Sequence, residues 1–211
     1  MLGLSTGLHY PKFTDAKIVL SVNRFGWIQG VTHGTFATAR QMADPSEVSD
    51  NPTANKFTAY RYLAARGAST HRFQRVFFYF QTASVNSIPS NGIFRFNASS
   101  WLANTGVILL TSEAFGGDGL TAMAPLDFFN ETDYTKPYSI EYDSGSTGWN
   151  EISLNSACLN GIGTGQGIIF TMVTHTHDYG DTEATGGSSV QRGVEVRLGD
   201  ASYPIELILN Q

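Results

Sequence analysis

Apolar and polar residues alternate in short runs along most of the chain, and turn-forming residues separate these runs. The alternation first appears at Ile18, Leu20 and Val22. It becomes dense from Phe57 onward, and the run from Phe73 to Phe80 is strongly apolar. Because a strand that is apolar on both faces needs cover on both, this run predicts a strand in the middle of a sheet.

Further strands are predicted after this run, with clusters of glycine, asparagine, aspartate or serine between them. They lie at residues 93–97, 107–111, 138–142, 149–154, 168–174, 194–198 and 205–209. The polar residues 42–56 predict a loop, and residues 120–134 favour a short helix that Pro125 would interrupt. About ten short strands joined by turns indicate two packed antiparallel sheets or a barrel.

The composition supports a single all-β domain. Of the 211 residues, 41% are hydrophobic and 15% are charged, which provides enough apolar material for a full core. Single β-sandwiches commonly reach about 200–250 residues, so the length does not require a second domain. Residues 1–16 show no hydrophobic period. We therefore predict an N-terminal extended arm at residues 1–16 and one β-sandwich domain at residues 17–211.

The charge of the chain argues against a nucleic-acid partner, and its cysteine content argues against an intrachain disulfide. The net charge is −5 and the 13 lysines and arginines are scattered, so we expect no nucleic-acid partner. Cys158 is the single cysteine, which predicts a buried, unreactive thiol and no intrachain disulfide. Since the opening residues lack the features of a signal peptide and no run reaches about 18 apolar residues, we expect a protein that is made in a host cytoplasm and does not enter a membrane.

The densest group of candidate metal ligands is in the segment THTHDYGDTE, which contains His175, His177 and Asp178. A His-x-His pair on a strand places both imidazoles on one face, about 6.5–7 Å apart, where they could bind zinc together with a carboxylate. The alternative is a strand end followed by a turn, in which Asp178 caps its own backbone. No nucleophile elbow or phosphate-binding glycine loop occurs, so we predict no catalytic residue and no cofactor.

The aromatic residues suggest a second kind of site. Sandwich domains that bind sugars use exposed aromatic rings, which stack on the apolar face of a pyranose. The candidates are Trp101, Tyr134 and Tyr179. We expect Trp101 to be exposed, because polar residues surround it.

The order of short motifs over residues 57–210 resembles the DNRLRE-type β-sandwich, a jelly-roll relative of carbohydrate-binding modules. The residues that carry the resemblance are Trp149, Ile152, Leu154, Asn155, Leu159, Ile162, His177, Asp178, Pro204 and Leu207. The chain departs from the family where Gln81 replaces an aspartate after the early strand. The resemblance implies an antiparallel two-sheet jelly-roll sandwich and a buried core position for Trp149.

The opening residues MLGLSTGL also resemble those of tailed-phage virion structural proteins. This resemblance implies a non-enzymatic virion protein, a capsid decoration or a head or tail fibre part, which docks on the major capsid protein or another virion protein. We also expect a homo-oligomer, with a trimer favoured, because the chain is rich in aromatic residues and low in charge. Two alternatives remain, a carbohydrate-binding adsorption module for host glycans and a metal-dependent hydrolase.

Overall fold

The computed structural model describes residues 17–41, 45–66, 68–128, 132–163 and 165–211. Twelve strands within these ranges form one hydrogen-bonded network in which the neighbouring strands are antiparallel. Strand accounts for 47% of the structure and helix for 13%, which confirms the all-β class. The arm predicted at residues 1–16 lies outside the described residues.

The elements have the following bounds. The first six strands are β1 (Lys17–Ser21), β2 (Arg24–Gly30), β3 (Pro45–Asp50), β4 (Lys56–Leu63), β5 (Thr70–Phe80) and β6 (Asn91–Trp101). The next six are β7 (Val107–Ser112), β8 (Thr132–Pro137), β9 (Gly148–Ser153), β10 (Ile168–Thr174), β11 (Val190–Val196) and β12 (Glu206–Asn210). The helical elements are α1 (Phe36–Arg40), α2 (Ser156–Ile162), the 3-10 turns Phe115–Gly117 and Pro125–Phe128, and a π-helical turn (His175–Tyr179).

Two long strands, β5 and β6, organise the network. On one edge β5 pairs with β2, and on the other edge it pairs first with β4 and then with β10. Likewise, β6 pairs with β9 on one edge and with β12 and β11 on the other. The strands β5 and β6 are not paired with each other, yet their side chains pack together, and the rings of Phe78 and Phe94 lie 5.0 Å apart.

Both faces of β5 are buried. One face carries Val76, Phe78 and Phe80 into the main core that is shared with β6 and β10. The other face carries Phe73 and Phe77 into a second core, which α1 and the 3-10 turns cover. The prediction of a central strand covered on both sides is confirmed.

Two local predictions are wrong. The predicted loop at residues 42–56 contains β3, an edge strand that pairs, among the described strands, with β2 alone. The exposure of this strand permits a polar sequence beginning with Pro45. Residues 138–142 do not form the predicted strand. The observed strand, β8, ends at Pro137, just before that segment. Its pairing with β7 shifts at Leu110, and the hydroxyl of Ser139 accepts the N–H of Leu109 in place of a backbone carbonyl.

The helical segments follow local rules. The turn Pro125–Phe128 begins at the proline, whose missing N–H costs nothing at a first helical position. The helix α2, which the sequence analysis did not predict, is capped by Asn155, whose side chain accepts the N–H of Cys158 at 3.1 Å. Cys158 is buried as predicted, and burial raises the pKa of its thiol. Among the described helices, none is long and apolar enough to cross a membrane.

Candidate functional site

The predicted metal-binding segment does not continue strand β10. It leaves the strand at Thr174 and forms the π-helical turn His175–Tyr179, so the expected placement of both histidines on one strand face is wrong. Instead, His175, His177 and Asp178 each contact a different set of partners. Within the described ranges, no group of three histidine, cysteine or acidic residues is arranged to hold a metal ion.

Asp178 forms a buried ion pair with Arg75, which lies in the middle of β5. The Nε and Nη2 atoms of Arg75 donate to the two carboxylate oxygens of Asp178, each at 2.7 Å. The hydroxyl of Tyr134 donates to the same carboxylate at 2.7 Å, and Nε of Arg40 donates to the Asp178 carbonyl at 2.6 Å. The exposed fraction of the side chain is 0% for Arg75 and 1% for Asp178. We call these four residues the Arg75 cluster.

The hydrogen-bonding groups of the Arg75 cluster satisfy one another. Arg75 also donates to the carbonyl oxygens of Phe128 and Arg40, and its guanidinium lies 4.0 Å from the centre of the Phe128 ring. Burial alone would lower the pKa of Arg75, but the charge and hydrogen bonds of Asp178 and Tyr134 outweigh it, and the pKa is raised. Burial raises the pKa of Tyr134, so its hydroxyl stays protonated as a donor. The cluster therefore joins β5, β8, α1 and the π-helical turn.

A second polar group, the histidine cluster, consists of Tyr60, His71, His177 and Glu183. Nδ1 of His71 lies 2.9 Å from the hydroxyl of Tyr60, and its Nε2 lies 3.2 Å from a carboxylate oxygen of Glu183. The ring of His177 packs on Tyr60 at 4.2 Å, and its Nδ1 donates to the carbonyl of Thr182 at 2.6 Å. These contacts fasten the segment after the π-helical turn to β4 and β5.

Burial controls the ionisation of the histidine cluster. It lowers the pKa of His71, against a smaller opposing effect of Glu183, and it lowers the pKa of His177 as well. It also raises the pKa of Tyr60 to about 12. The neutral forms fit the hydrogen bonds, because the Tyr60 hydroxyl donates to Nδ1 of His71 while Nε2 of His71 donates to Glu183.

The predicted sugar-binding residues are not open platforms. Arg40 covers the Tyr134 ring at 4.3 Å, and Tyr179 stacks on His175 at 5.4 Å. Trp101, which we expected to be exposed, is only partly exposed because it stacks on Phe96, and its Nε1 donates to the Thr105 carbonyl at 3.1 Å. The structure brings Tyr134 together with Asp178, while Trp101 packs separately against the main core.

The exposed indole belongs to Trp149, for which the family resemblance implies burial. Its exposed fraction is 45%, and the guanidinium of Arg95 lies 4.8 Å from the ring centre on the neighbouring strand. Tyr203 lies 6.1 Å from Trp149, and the guanidinium of Arg197 lies 4.5 Å from the Tyr203 ring. We call these four residues the Trp149 surface.

An ion pair and an apolar groove complete the Trp149 surface. Arg95 forms an ion pair of 2.6 Å with Glu206. The Nε atoms of Arg95 and Arg197 are buried and have no hydrogen-bond partner among the described residues. Tyr203 also borders an apolar groove of about 280 Å³, whose other walls include Val22, Phe25, Pro204 and Ile205. The surface thus combines an open indole, two arginines and an apolar recess.

The alternation of β9 could have identified this surface. Asn150 and Ile152 are buried, so Trp149, Glu151 and Ser153 share the opposite, solvent-facing side. The family resemblance implies a core position for Trp149, whereas the alternation of β9 predicts an exposed one.

Comparison with protein families and with curated proteins gives no match. No protein-family model matches the chain, and no curated protein matches it at a significant level. The resemblance to DNRLRE-type sandwiches therefore stays a prediction.

Proposed function

We propose that this protein is a non-enzymatic structural component of a phage virion, and that it docks on another virion protein through the Trp149 surface. The observation that carries the proposal is the open indole of Trp149, which lies between Arg95 and Tyr203. Tryptophan, tyrosine and arginine are the residue types that contribute most binding energy at protein interfaces. The apolar groove beside Tyr203 offers a recess for a partner's side chain.

The contacts of the Arg75 cluster support a structural role for Asp178 and Tyr134, the predicted metal-binding and sugar-binding candidates in it. Both carboxylate oxygens of Asp178 accept hydrogen bonds from Arg75, and the hydroxyl of Tyr134 is also engaged there. These contacts give the His-Asp segment a role in holding the fold. The resemblance of the opening residues to virion proteins supplies the biological setting of the proposal.

The finer architecture is part of the same proposal. We infer an antiparallel two-sheet jelly roll in which β5 and β6 belong to opposite sheets, supported by the packing of Phe78 on Phe94 at 5.0 Å. The homotrimer predicted from the sequence is a further part of it. Light scattering of the purified chain tests this part, and the mass of a monomer at all concentrations would remove it.

The docking proposal is tested with particles assembled without this chain, to which the purified chain is added back. The wild-type chain is expected to co-sediment with particles at a fixed copy number. Trp149→Ser is expected to bind about tenfold more weakly or worse, because it removes the central aromatic contact. The matched control is Leu120→Ser. Leu120 is 78% exposed, and it is neither one of the four residues of this surface nor one that lines the groove. Equal binding by wild type and Trp149→Ser would contradict the proposal.

A carbohydrate-binding adsorption module is the second candidate, and the same indole favours it. A flat exposed ring can stack on the apolar face of a pyranose, while the partly exposed guanidinium of Arg95 offers a donor to sugar hydroxyls. A glycan array decides between the candidates. Binding of a host glycan that Trp149→Ser abolishes, together with no binding to particles, would replace the docking proposal.

A further inference from the structure

Two arginines lie directly opposite each other near the turn between β4 and β5. Arg61 pairs with Arg72 in the antiparallel register of these strands. Directly opposite residues have Cβ atoms about 4.5–5.5 Å apart, and like charges at such positions destabilise a sheet. Both side chains are also partly buried, which removes some of the water that would screen their repulsion.

Neither arginine has an acidic partner among the described residues, although other arginines do. Arg24 pairs with Asp50 at 2.6 Å, and Arg95 pairs with Glu206 at the same distance. On the other edge of β4, the residue opposite Arg61 is the neutral Gln191. Two positive charges thus lie side by side on a protein with a net charge of −5.

The two arginines border a small recess that contains further hydrogen-bond donors. Its lining consists of Thr32, Arg61, Leu63, Thr70, His71 and Arg72. The threonine hydroxyls are neutral donors beside the two guanidinium groups. Burial, and then the charge of Arg61, lower the pKa of Arg72, which agrees with an uncompensated pair of positive charges.

We propose that Arg61 and Arg72, with the hydroxyls of Thr32 and Thr70, form a binding site for a tetrahedral oxyanion of the phosphate class. A dianion balances both guanidinium charges, whereas a carboxylate balances only one. A phosphate also offers enough oxygens for both arginines and the hydroxyl donors. The site goes beyond the docking proposal, because the Trp149 surface contributes no residue to it.

Calorimetric titration of the whole chain with inorganic phosphate, at constant ionic strength and pH 7.5, tests the site. Phosphate is expected to bind the wild type at one site, and acetate is expected to bind at least tenfold more weakly. Arg61→Gln and Arg72→Gln are each expected to weaken phosphate binding at least tenfold. Arg66→Gln, at an exposed arginine of the same hairpin, is the matched control and should bind as the wild type does.

A thermal melt without phosphate separates an anion site from a structural role. Arg72→Gln is expected to melt at the wild-type temperature or above it, since the substitution relieves a repulsion. Phosphate binding should also persist in Trp149→Ser, so failure of the docking proposal leaves this test intact. No phosphate binding by the wild type, equal binding of acetate, or a clearly lower melting temperature for Arg72→Gln would each overturn the proposal.

Discussion

The Arg75 cluster and the Trp149 surface place the same groups, arginines and aromatic rings, in opposite surroundings. The guanidinium of Arg75 lies 4.0 Å from the Phe128 ring and is completely buried. The guanidinium of Arg95 lies 4.8 Å from the Trp149 ring, on a side chain that is 34% exposed. Arg75 forms several hydrogen bonds within the protein, whereas Arg95 forms an ion pair with Glu206 at 2.6 Å.

Because of this difference, we expect the Arg75 cluster to contribute to stability and the Trp149 surface to contribute to binding. A buried charge must be paired and hydrogen-bonded, so the contacts of Arg75 are already committed to the fold. An open ring beside an arginine that is 34% exposed retains area for contact with another molecule. Substitutions in the first region should therefore change the free energy of unfolding, while those in the second should change binding.

The largest expected loss in the free energy of unfolding comes from removing the carboxylate of Asp178. Asp178→Ala leaves Arg75 buried and unpaired, and breaking a buried pair in this way costs about 3–5 kcal/mol. Urea denaturation followed by circular dichroism measures the loss. The control is Asp181→Ala, because Asp181 pairs with Arg40 at 3.3 Å but is 66% exposed, and it should cost no more than about 1 kcal/mol.

A less severe variant covers the case in which Asp178→Ala does not fold. Tyr134→Phe removes one hydrogen bond to the Asp178 carboxylate and should cost about 1.5–3 kcal/mol. Wild-type stability in both variants would show that the Arg75 cluster does not hold these elements together.

A smaller loss in the free energy of unfolding is expected when acid protonates the histidine cluster. The folded protein lowers the pKa of His71 and His177 below the usual value of 6.5, so the unfolded chain takes up protons first. The stability is therefore fully present above about pH 6.5, is lost as the pH falls from there towards the lowered values, and is not reduced further by these two groups below them. Urea denaturation from pH 7.5 to pH 5 should show a loss that is smaller in His71→Gln and His177→Gln. An identical loss in wild type and the double variant would contradict this account.

The smallest expected effect on stability belongs to Trp149→Ser. The exposed indole contributes mainly its contacts with Arg95 and Tyr203, so the substitution should cost no more than about 1 kcal/mol. Thermal unfolding checks this value. A loss as large as that of Asp178→Ala would mean that Trp149 is part of the core and would remove the contrast between the two regions.

The sequence predicted the elements whose signal is local. Alternation and apolar runs located most strands, and β10 was predicted with its observed bounds. The strand β3 was missed because an exposed edge strand needs no apolar face. The short helix α2 was missed as well, although Asn155 provides a recognisable cap.

The site depends on contacts that local patterns do not encode. Arg75 and Asp178 are 103 positions apart, and nothing in either segment indicates that they form a pair. The π-helical turn redirects His175 and His177, whereas the pattern of residue types predicted a continued strand. Only the exposure of Trp149 could have been predicted, from its parity with Glu151 in β9.

The division between a cluster that holds the fold and a surface that binds is tested with two purified variants. Their binding to particles that lack the chain is measured at a temperature where both variants are folded. The account predicts that Tyr134→Phe, although less stable, binds particles with wild-type affinity, because the Arg75 cluster only holds the fold. It predicts that Trp149→Ser, although stable, binds about tenfold more weakly or worse. Normal binding by Trp149→Ser together with lost binding by folded Tyr134→Phe would contradict the account.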